Sequence, residues 1–358
     1  SNFADAYVLN GWASASTRTD IVDMYRNPTA DPSILQYYTQ PLYVAVKLRD
    51  KVMPVGTAPV ADIFIINEVD LKGKHTLGLT FTDTNDRIMF SKSYDVTIAG
   101  GEEFGQLLIE GVTLPMVDGP GYYTLRARIT SNGVVRTTGF DDIYAVELAG
   151  RSQDYGGTVA VIESDGTIER FLSSARDKAA IPFTPDMTDA TCIIVGNHDF
   201  KDGGDDTYAA AFNRVIHGAR LIVLEHADRW AEKLNAISGS KPPIYQGGGI
   251  IRFGNQGRQF VGNSPWLAQL PQAQGMSWEY QTFYYTRNVS GLRLHPWGVE
   301  TIVALGGQHT KEILTSLCRV PLGKGELFLS TLDISPGLVS QKPQSAVAKR
   351  LFLNLLER

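Results

Sequence analysis

Between residues 41 and 148 the chain repeats one pattern seven times: a strand-length run of alternating apolar and polar residues, closed by a turn. The runs are PLYVAVKLR, VADIFIINE, HTLGLTFTD, RIMFSKSYDVTI, QLLIEGVTLP, YYTLRARIT and GVVRTTGFDDIYAVEL, with LKGK, DTND, VDGPG and SNG among the turns between them. A period of two puts every second side chain on one face, so each run buries one face and wets the other. A helix cannot use this pattern, because its apolar stripe needs a period near 3.6. Half-buried strands of this kind cover themselves by packing as two sheets face to face.

About seven short strands in roughly 100 residues is the count of an immunoglobulin-like sandwich. In GPGYYTLRARI, Tyr122 or Tyr123 is expected to pack at the corner ahead of a central strand. After the Gly-rich polar stretch AGRSQDYGG (149–157) the periodicity changes. Runs that are apolar throughout (TVAVIES, ATCIIVG, RLIVLEH) now alternate with helix-spaced segments. IERFLSSARDKA places Ile168, Phe171, Leu172 and Ala175 on one helical face. DTYAAAFNRVIHGAR has Asp205 or Asp206 as its N-cap and Gly218 as its stop, and DRWAEKLNAI follows. Strands buried on both faces and separated by helices form a parallel sheet. TIVALGG and EILTSLCRVPLGKGELFLSTLDI read as further strands, the second as a hairpin over GKG, and SAVAKRLFLNLLER as a closing amphipathic helix. The expected architecture is therefore multidomain: a leading segment over 1–40, an immunoglobulin-like β-sandwich over 41–148, a linker over 149–157, and an open-sheet, flavodoxin-like α/β domain over 158–358.

Composition excludes several functions. A formal net charge of −5 without a dense Lys/Arg run carries no nucleic-acid footprint. No apolar run approaches the roughly 18 residues of a membrane-spanning helix. Cys192 and Cys318 both lie in apolar, strand-like runs and read as buried thiols, and no Cys/His spacing matches a zinc site. No cofactor is implied. The opening Ser1-Asn2-Phe3 reads as the scar of a cleaved tag, so location is not legible here; a periplasmic or secreted parent is expected.

The stretch from Asp23 through Arg26-Asn27-Pro28, Asp31-Pro32, Tyr38 and QPLYVAVKLR to IINEVDLKG resembles one passage of glycoside hydrolase family 2 enzymes. There the chain leaves the catalytic (β/α)₈ barrel and enters the immunoglobulin-like domain behind it. The resemblance covers about residues 20–148. It implies that NPTADPSILQYY is the last helical piece of a barrel with its linker, and that PLYVAVKLR opens the sandwich. IIVGNHDF, ARLIVLEHADRW, GKGELFLSTLDI and AKRLFLNLL resemble, more loosely, the amidotransferase-like domains attached to some β-galactosidases. The Gly-x-Cys-x-Gly elbow of glutaminases does not occur, nor does the His-x-Glu partner, so that resemblance implies a version without glutaminase chemistry.

Retaining glycoside hydrolysis needs two carboxyl groups about 5–5.5 Å apart. The resemblance implies that both are glutamates at the ends of barrel strands. Residues 3–40 are too few for a barrel of about 250 residues, so that pair is expected upstream of this chain, and no catalytic residue is assigned within it. Asn67-Glu68 mimics the family's acid/base pair but ends a sandwich strand before the turn VDLKGK, where a structural or solvated role is expected. In the α/β half, ligands bind beyond the carboxyl ends of the strands. GNHDFKDGGDD after CIIV and EHADRW after LIVL therefore bring His198, Asp199, Glu225, His226 and Asp228 toward one end of the sheet, as a metal or sugar-hydroxyl site or as turn and cap residues. The spacing fits no metal template, and Asp202, Asp205 and Asp206 around Gly203-Gly204 fail the calcium-loop pattern. Trp266, Trp278 and Trp297, with Tyr280, Tyr284 and Tyr285 nearby, are candidate sugar platforms or core residues. Gly247-Gly248-Gly249 and GNQG (254–257) read as loops.

The first expectation is the non-catalytic C-terminal portion of a family 2 enzyme that hydrolyses β-glycosidic bonds, with its own upstream barrel, carbohydrate and a second copy of the chain as candidate partners. The alternatives are a stand-alone carbohydrate-binding or adhesion protein, and an enzyme with its own site around His198 and Glu225.

Overall fold

The structure, a computed structural model, describes residues 22, 25–28, 31–101, 105–148, 157–175, 180–199, 205–252, 259–283, 288–295, 298–306 and 313–357. The chain is multidomain, a β unit and an α/β unit. The first comprises Ser1–Asp50, Ala58–Val117 and Tyr122–Ile143; the second comprises Lys51–Thr57, Asp118–Gly121 and Tyr144–Arg358.

All seven alternating runs are strands, and a short one is added that the sequence pattern does not show. After helix α1 (Pro32–Tyr38) come β1 (Leu42–Leu48), β2 (Val52–Pro54), β3 (Val60–Asn67), β4 (Gly73–Thr82), β5 (Ile88–Ile98), β6 (Gly105–Thr113), β7 (Gly121–Ser131) and β8 (Val134–Val146). They form a three-stranded sheet ordered β1-β3-β6 and a five-stranded sheet ordered β2-β8-β7-β4-β5. Burial follows the period of two: Leu77, Leu79 and Phe81 of β4 face inward with Leu125, Ala127 and Ile129 of β7. Tyr123 is buried and stacks on Phe81 with ring centres 5.7 Å apart, a packing residue as expected.

β8 also runs beside β1 without a ladder between them. Thr137 Oγ1 donates to the Leu42 carbonyl at 3.0 Å, and the Leu48 N–H donates to Asp141 Oδ2 at 3.0 Å. Between these anchors lies Gly139, where a Cβ would stand 1.7 Å from the Val44 carbonyl oxygen. Only glycine lets the two backbones come this close.

The second unit holds β9 (Thr158–Ile162), α2 (Thr167–Ala175), β10 (Ile181–Pro182), β11 (Ala190–Val195), α3 (Asp205–Ile216), β12 (Arg220–Val223), α4 (Ala227–Ser238), β13 (Tyr245–Arg252), β14 (Gln259–Val261), β15 (Gln274–Gly275), β16 (Asn288–Leu294), β17 (Glu300–Gly306), β18 (Ile313–Leu322), β19 (Gly325–Ser330), α5 (Ile334–Val339) and α6 (Ala346–Leu356). Strands β10-β9-β11-β12-β19 are parallel neighbours, as the continuous apolar runs demand. From β19 onward the sheet turns antiparallel through β18, β17, β14 and β15, with β16 pairing β18 and β13 pairing β16. The expected parallel sheet is thus half of a mixed one.

Helices cover the parallel half on both faces. Leu221 and Val223 of β12, with Leu327 and Leu329 of β19, join Phe212 of α3 and Trp230 and Leu234 of α4 in one core cluster. Their neighbours along the strand point the other way, and there Arg220 reaches the C-terminal carbonyls of α6.

Four local expectations are corrected. α6 is not amphipathic: apart from Lys349, its residues are buried on every side, and Arg350 and Asn354 satisfy each other through a 2.7 Å hydrogen bond. Ala175, placed on the apolar face of α2, is exposed at its C-terminal end. Gly247–Gly249 lie in strand β13, because a Cβ on Gly249 or on Gly291 of β16 would fall 2.7–2.8 Å from Leu314 of β18. The run ELFLSTLDI is strand only to Ser330, after which the chain turns into α5.

Candidate functional site

Two adjacent parallel strands, β12 and β19, end side by side, and the segments leaving them build one wall each of a crevice. Open α/β sheets bind ligands in this position, beyond the strand carboxyl ends. From β12 the chain passes through Leu224, Glu225 and His226 into α4. His226 is the N-cap in left-handed backbone (φ 57°, ψ 35°), an uncommon state for a residue with a Cβ. From β19 it passes through Thr331, Leu332 and Asp333 into α5. That loop is pinned by the Thr331 hydroxyl, which donates to the Ser290 carbonyl at 2.7 Å, and by the Leu332 N–H, which donates to Ser330 Oγ at 3.1 Å. The third wall is the β13–β16 ladder at Tyr245, Gly248, Gly249 and Gly291. The cavity encloses about 750 Å³.

Burial pushes the Glu225 carboxyl above the usual carboxylate range, against the lowering pull of the Ser335 hydroxyl and the His226 ring; Asp333 and Asp165 nearby push it further up. Burial alone raises Asp333, which makes no capping hydrogen bond to the start of α5. His226 Nε2 is buried without a hydrogen-bond partner among the described residues. The His198 ring stands edge-on to His226 with centres 5.2 Å apart. His198 Nδ1 lies 2.8 Å from the Gly196 carbonyl; an oxygen that only accepts puts the proton on that nitrogen. Burial lowers the His198 pKa, favouring the neutral ring.

Glu225 and Asp333 carry a stability consequence. Their folded-state pKa values stand above the unfolded ones, so their favourable contribution is complete below the unfolded carboxylate range and is lost as pH rises through the raised values. At pH 7 both are a net burden on folding. Glu225→Gln and Asp333→Asn should each raise the melting temperature at pH 7 by on the order of 1–2 °C, a gain kept small by their partial solvent contact. The gain should vanish near pH 4 in scanning calorimetry; equal shifts at both pH values would rule out the ionisation account.

Of the expected strand-end residues, Glu225, His226 and Asp228 line the crevice and His198 stands behind His226, while Asp199 is exposed outside it. The acid at the end of β9 serves the fold instead, since Glu163 accepts the Ile168 and Glu169 N–H groups, each at 2.8 Å, and so caps α2. Among the described residues no group of three His, Cys, Asp or Glu is placed to hold a metal. Cys192 and Cys318 are buried and form no disulfide, and burial pushes the Cys318 thiol up to about 12.

Trp266 and Trp278 do not line the crevice. Trp266 packs edge-on to Phe328 at 4.8 Å and under the Arg220 guanidinium at 4.9 Å. Trp278 carries Lys51 Nζ 4.7 Å above its ring. Trp297 lies outside the described residues, as do Tyr284, Tyr285, Asp202 and the GNQG stretch. Strand-end reasoning on the sequence missed Asp333, Ser290 and Thr331. For Asp333 a signal existed: LFLSTLDI ends a buried strand just as LIVLEH does, so the same strand-end rule applied.

In the first unit Asn67 is buried at the end of β3 and holds the following turn from both sides. Its Nδ2 donates to the Leu71 carbonyl and its Oδ1 accepts the Leu71 N–H, both at 2.9 Å, while Glu68 is exposed.

No protein-family model and no curated protein matches the chain. Solved structures similar to it include a glycosyl hydrolase family 2 member from Bacteroides cellulosilyticus, at 15% identity over 51% of this chain and 25% of that one, TM-score 0.23. A beta-glucuronidase from Parabacteroides merdae aligns at 12% identity over 55% and 26%, TM-score 0.20. A beta-glucosidase from Listeria innocua aligns at 16% identity over 29% and 16%, TM-score 0.21. The chain thus spans at most about a quarter of the length of these three, and likenesses at such scores carry no functional argument of their own.

Proposed function

We propose that this chain is the accessory C-terminal portion of a glycoside hydrolase family 2 enzyme. It comprises an immunoglobulin-like sandwich that buttresses the catalytic barrel, followed by a flavodoxin- or amidotransferase-like α/β domain. The parent cleaves β-glycosidic bonds with two glutamates carried by its barrel, and this portion contributes neither. The observation that supports the reading is the run of family-like residues from Asp23 to Gly73. In it QPLYVAVKLR coincides with β1, and IINEVDLKG with the end of β3 and its turn. Asn67, the lure toward a catalytic Asn-Glu pair, is consumed by that turn.

A series of chromogenic β-galactoside, β-glucuronide and β-mannoside substrates tests the assignment. The expected result is no chromophore release above buffer by the purified chain. Turnover that co-purifies with it and falls in Glu225→Gln would overturn the division of labour.

A further inference from the structure

We propose that His198 and His226 form an acid-released latch. As a neutral pair they hold the first turn of α4 against the ends of β11 and β12. A proton taken up by His198 frees that turn, and with it the part of the crevice wall that α4 carries. The inference does not depend on the glycosidase parentage; it rests on the geometry of the strand ends.

The joint is built on two neighbouring parallel strands. β11 runs on to His198, which is 6% exposed, and β12 to His226. The Leu224 N–H donates to the Val195 carbonyl at 3.0 Å and ties the two ends together. The His198 ring stands edge-on to His226 at 5.2 Å and to Trp230, in the first turn of α4, at 6.4 Å. The Trp230 N–H closes that turn on the His226 carbonyl at 3.2 Å.

A second proton does not suit this joint. With the Nδ1 proton given to the Gly196 carbonyl, it must go to His198 Nε2, which is buried. A cation there loses its water, faces a second imidazole, stands near Arg229 and meets the positive end of the α4 dipole. The other charges nearby offer little relief. Glu225 adjoins His226, but its burial, with Asp333 and Asp165 close by, discourages ionisation. Asp228 lines the crevice, Asp199 is exposed, and Glu163 is committed to the α2 N–H groups.

The turn is the part that gives. His226 holds left-handed backbone and its side chain makes no capping hydrogen bond, so the start of α4 depends on packing against His198. Segments held this way open locally before the whole unit unfolds. Burial, above all, sets the folded pKa of His198 below the unfolded one. Its favourable contribution is therefore complete above the ordinary histidine value of about 6.5 and is lost as pH falls toward the lowered one. Glu225 and Asp333 act in the opposite sense on acidification, so the test must read the turn itself.

Hydrogen exchange of the whole chain, corrected for its intrinsic pH dependence, reads the Trp230 N–H, with the β18–β19 hairpin as reference. From pH 7 to pH 5, opening of the turn should grow by about tenfold or more, the limit for one proton being roughly tenfold per pH unit. The hairpin should stay protected. His198→Asn keeps an N–H for the Gly196 carbonyl but takes no second proton, and it should remove the dependence. Where circular dichroism shows that variant unfolded, NMR titration of the His198 ring in the unaltered chain decides: its protonation should coincide with loss of the turn. Protection that is flat with pH, a loss shared equally by the hairpin, the same loss in folded His198→Asn, or a His198 ring that protonates while the turn stays closed would each overturn it.

Discussion

Replacing Arg220 with alanine should lower the stability of the α/β unit by about 3–5 kcal/mol, the usual consequence of breaking a buried ion pair from one side. Arg220 is 4% exposed and makes three kinds of contact at once. Its Nε donates to Glu326 Oε1 at 2.7 Å, and its Nη2 pairs with the same oxygen. Its Nη1 donates to the carbonyls of Leu355, Leu356 and Glu357 at 2.8–3.1 Å, closing the last turn of α6 where carbonyls have no partner within the helix. Its guanidinium lies over Trp266. On the other side of Glu326, Arg319 Nε sits 2.6 Å from Oε2 and carries the network on to Glu300. Burial works to raise the Glu326 carboxyl, and Arg319 and Arg220 together outweigh it and hold it below the usual range. That contribution is present above the unfolded pKa and is lost as pH falls through the lowered folded value. In Arg220→Ala the acid limb of the stability profile should therefore move to higher pH. Urea unfolding followed by tryptophan fluorescence measures both effects, since Trp230, Trp266 and Trp278 all lie in this unit. A loss below about 1 kcal/mol would mean that Arg319 alone suffices for Glu326.

Gly139→Ala should be comparably damaging in the other unit, by about 3 kcal/mol or more. A methyl group 1.7 Å from the Val44 carbonyl oxygen cannot be accommodated by a side-chain rotation, because the obstacle is backbone. β8 must move away from β1, and the Thr137–Leu42 and Asp141–Leu48 hydrogen bonds lengthen with it. Hydrogen exchange read on β1 and β8 peptides should show protection lost there first. Gly133→Ala in the β7–β8 turn makes the control. No neighbour stands within 4 Å of its Cβ, and its positive φ of 78° gives only the modest strain of a left-handed alanine. Equal effects at the two positions would show that close approach is not what Gly139 provides.

The two units differ in how much of them could be read from the chain. A period of two over 41–148 allowed only half-buried strands, and each such run became one. β2 escaped because three residues show no period. In the α/β half the fully apolar runs announced the parallel strands, and the short GKG turn announced the β18–β19 hairpin. β13 was hidden because it is rich in glycine, and glycine there records a neighbour's closeness, which no local pattern encodes. α6 read as amphipathic for the same reason: Arg350 and Asn354 look like a solvent face until their buried partners are known.

Glu225 and His226 were legible as strand-end residues because local order fixes which loop follows which strand. Asp333 joins them only because β19, more than 100 residues later, inserts beside β12 in the sheet. The chain's own pattern thus determined that there would be strands, helices and polar strand ends, since hydrophobic period and turn chemistry are local properties. Which strand ends meet, and therefore which carboxyl groups share one cavity and lose their water together, was decided by the tertiary packing, because desolvation depends on neighbours far apart in the chain.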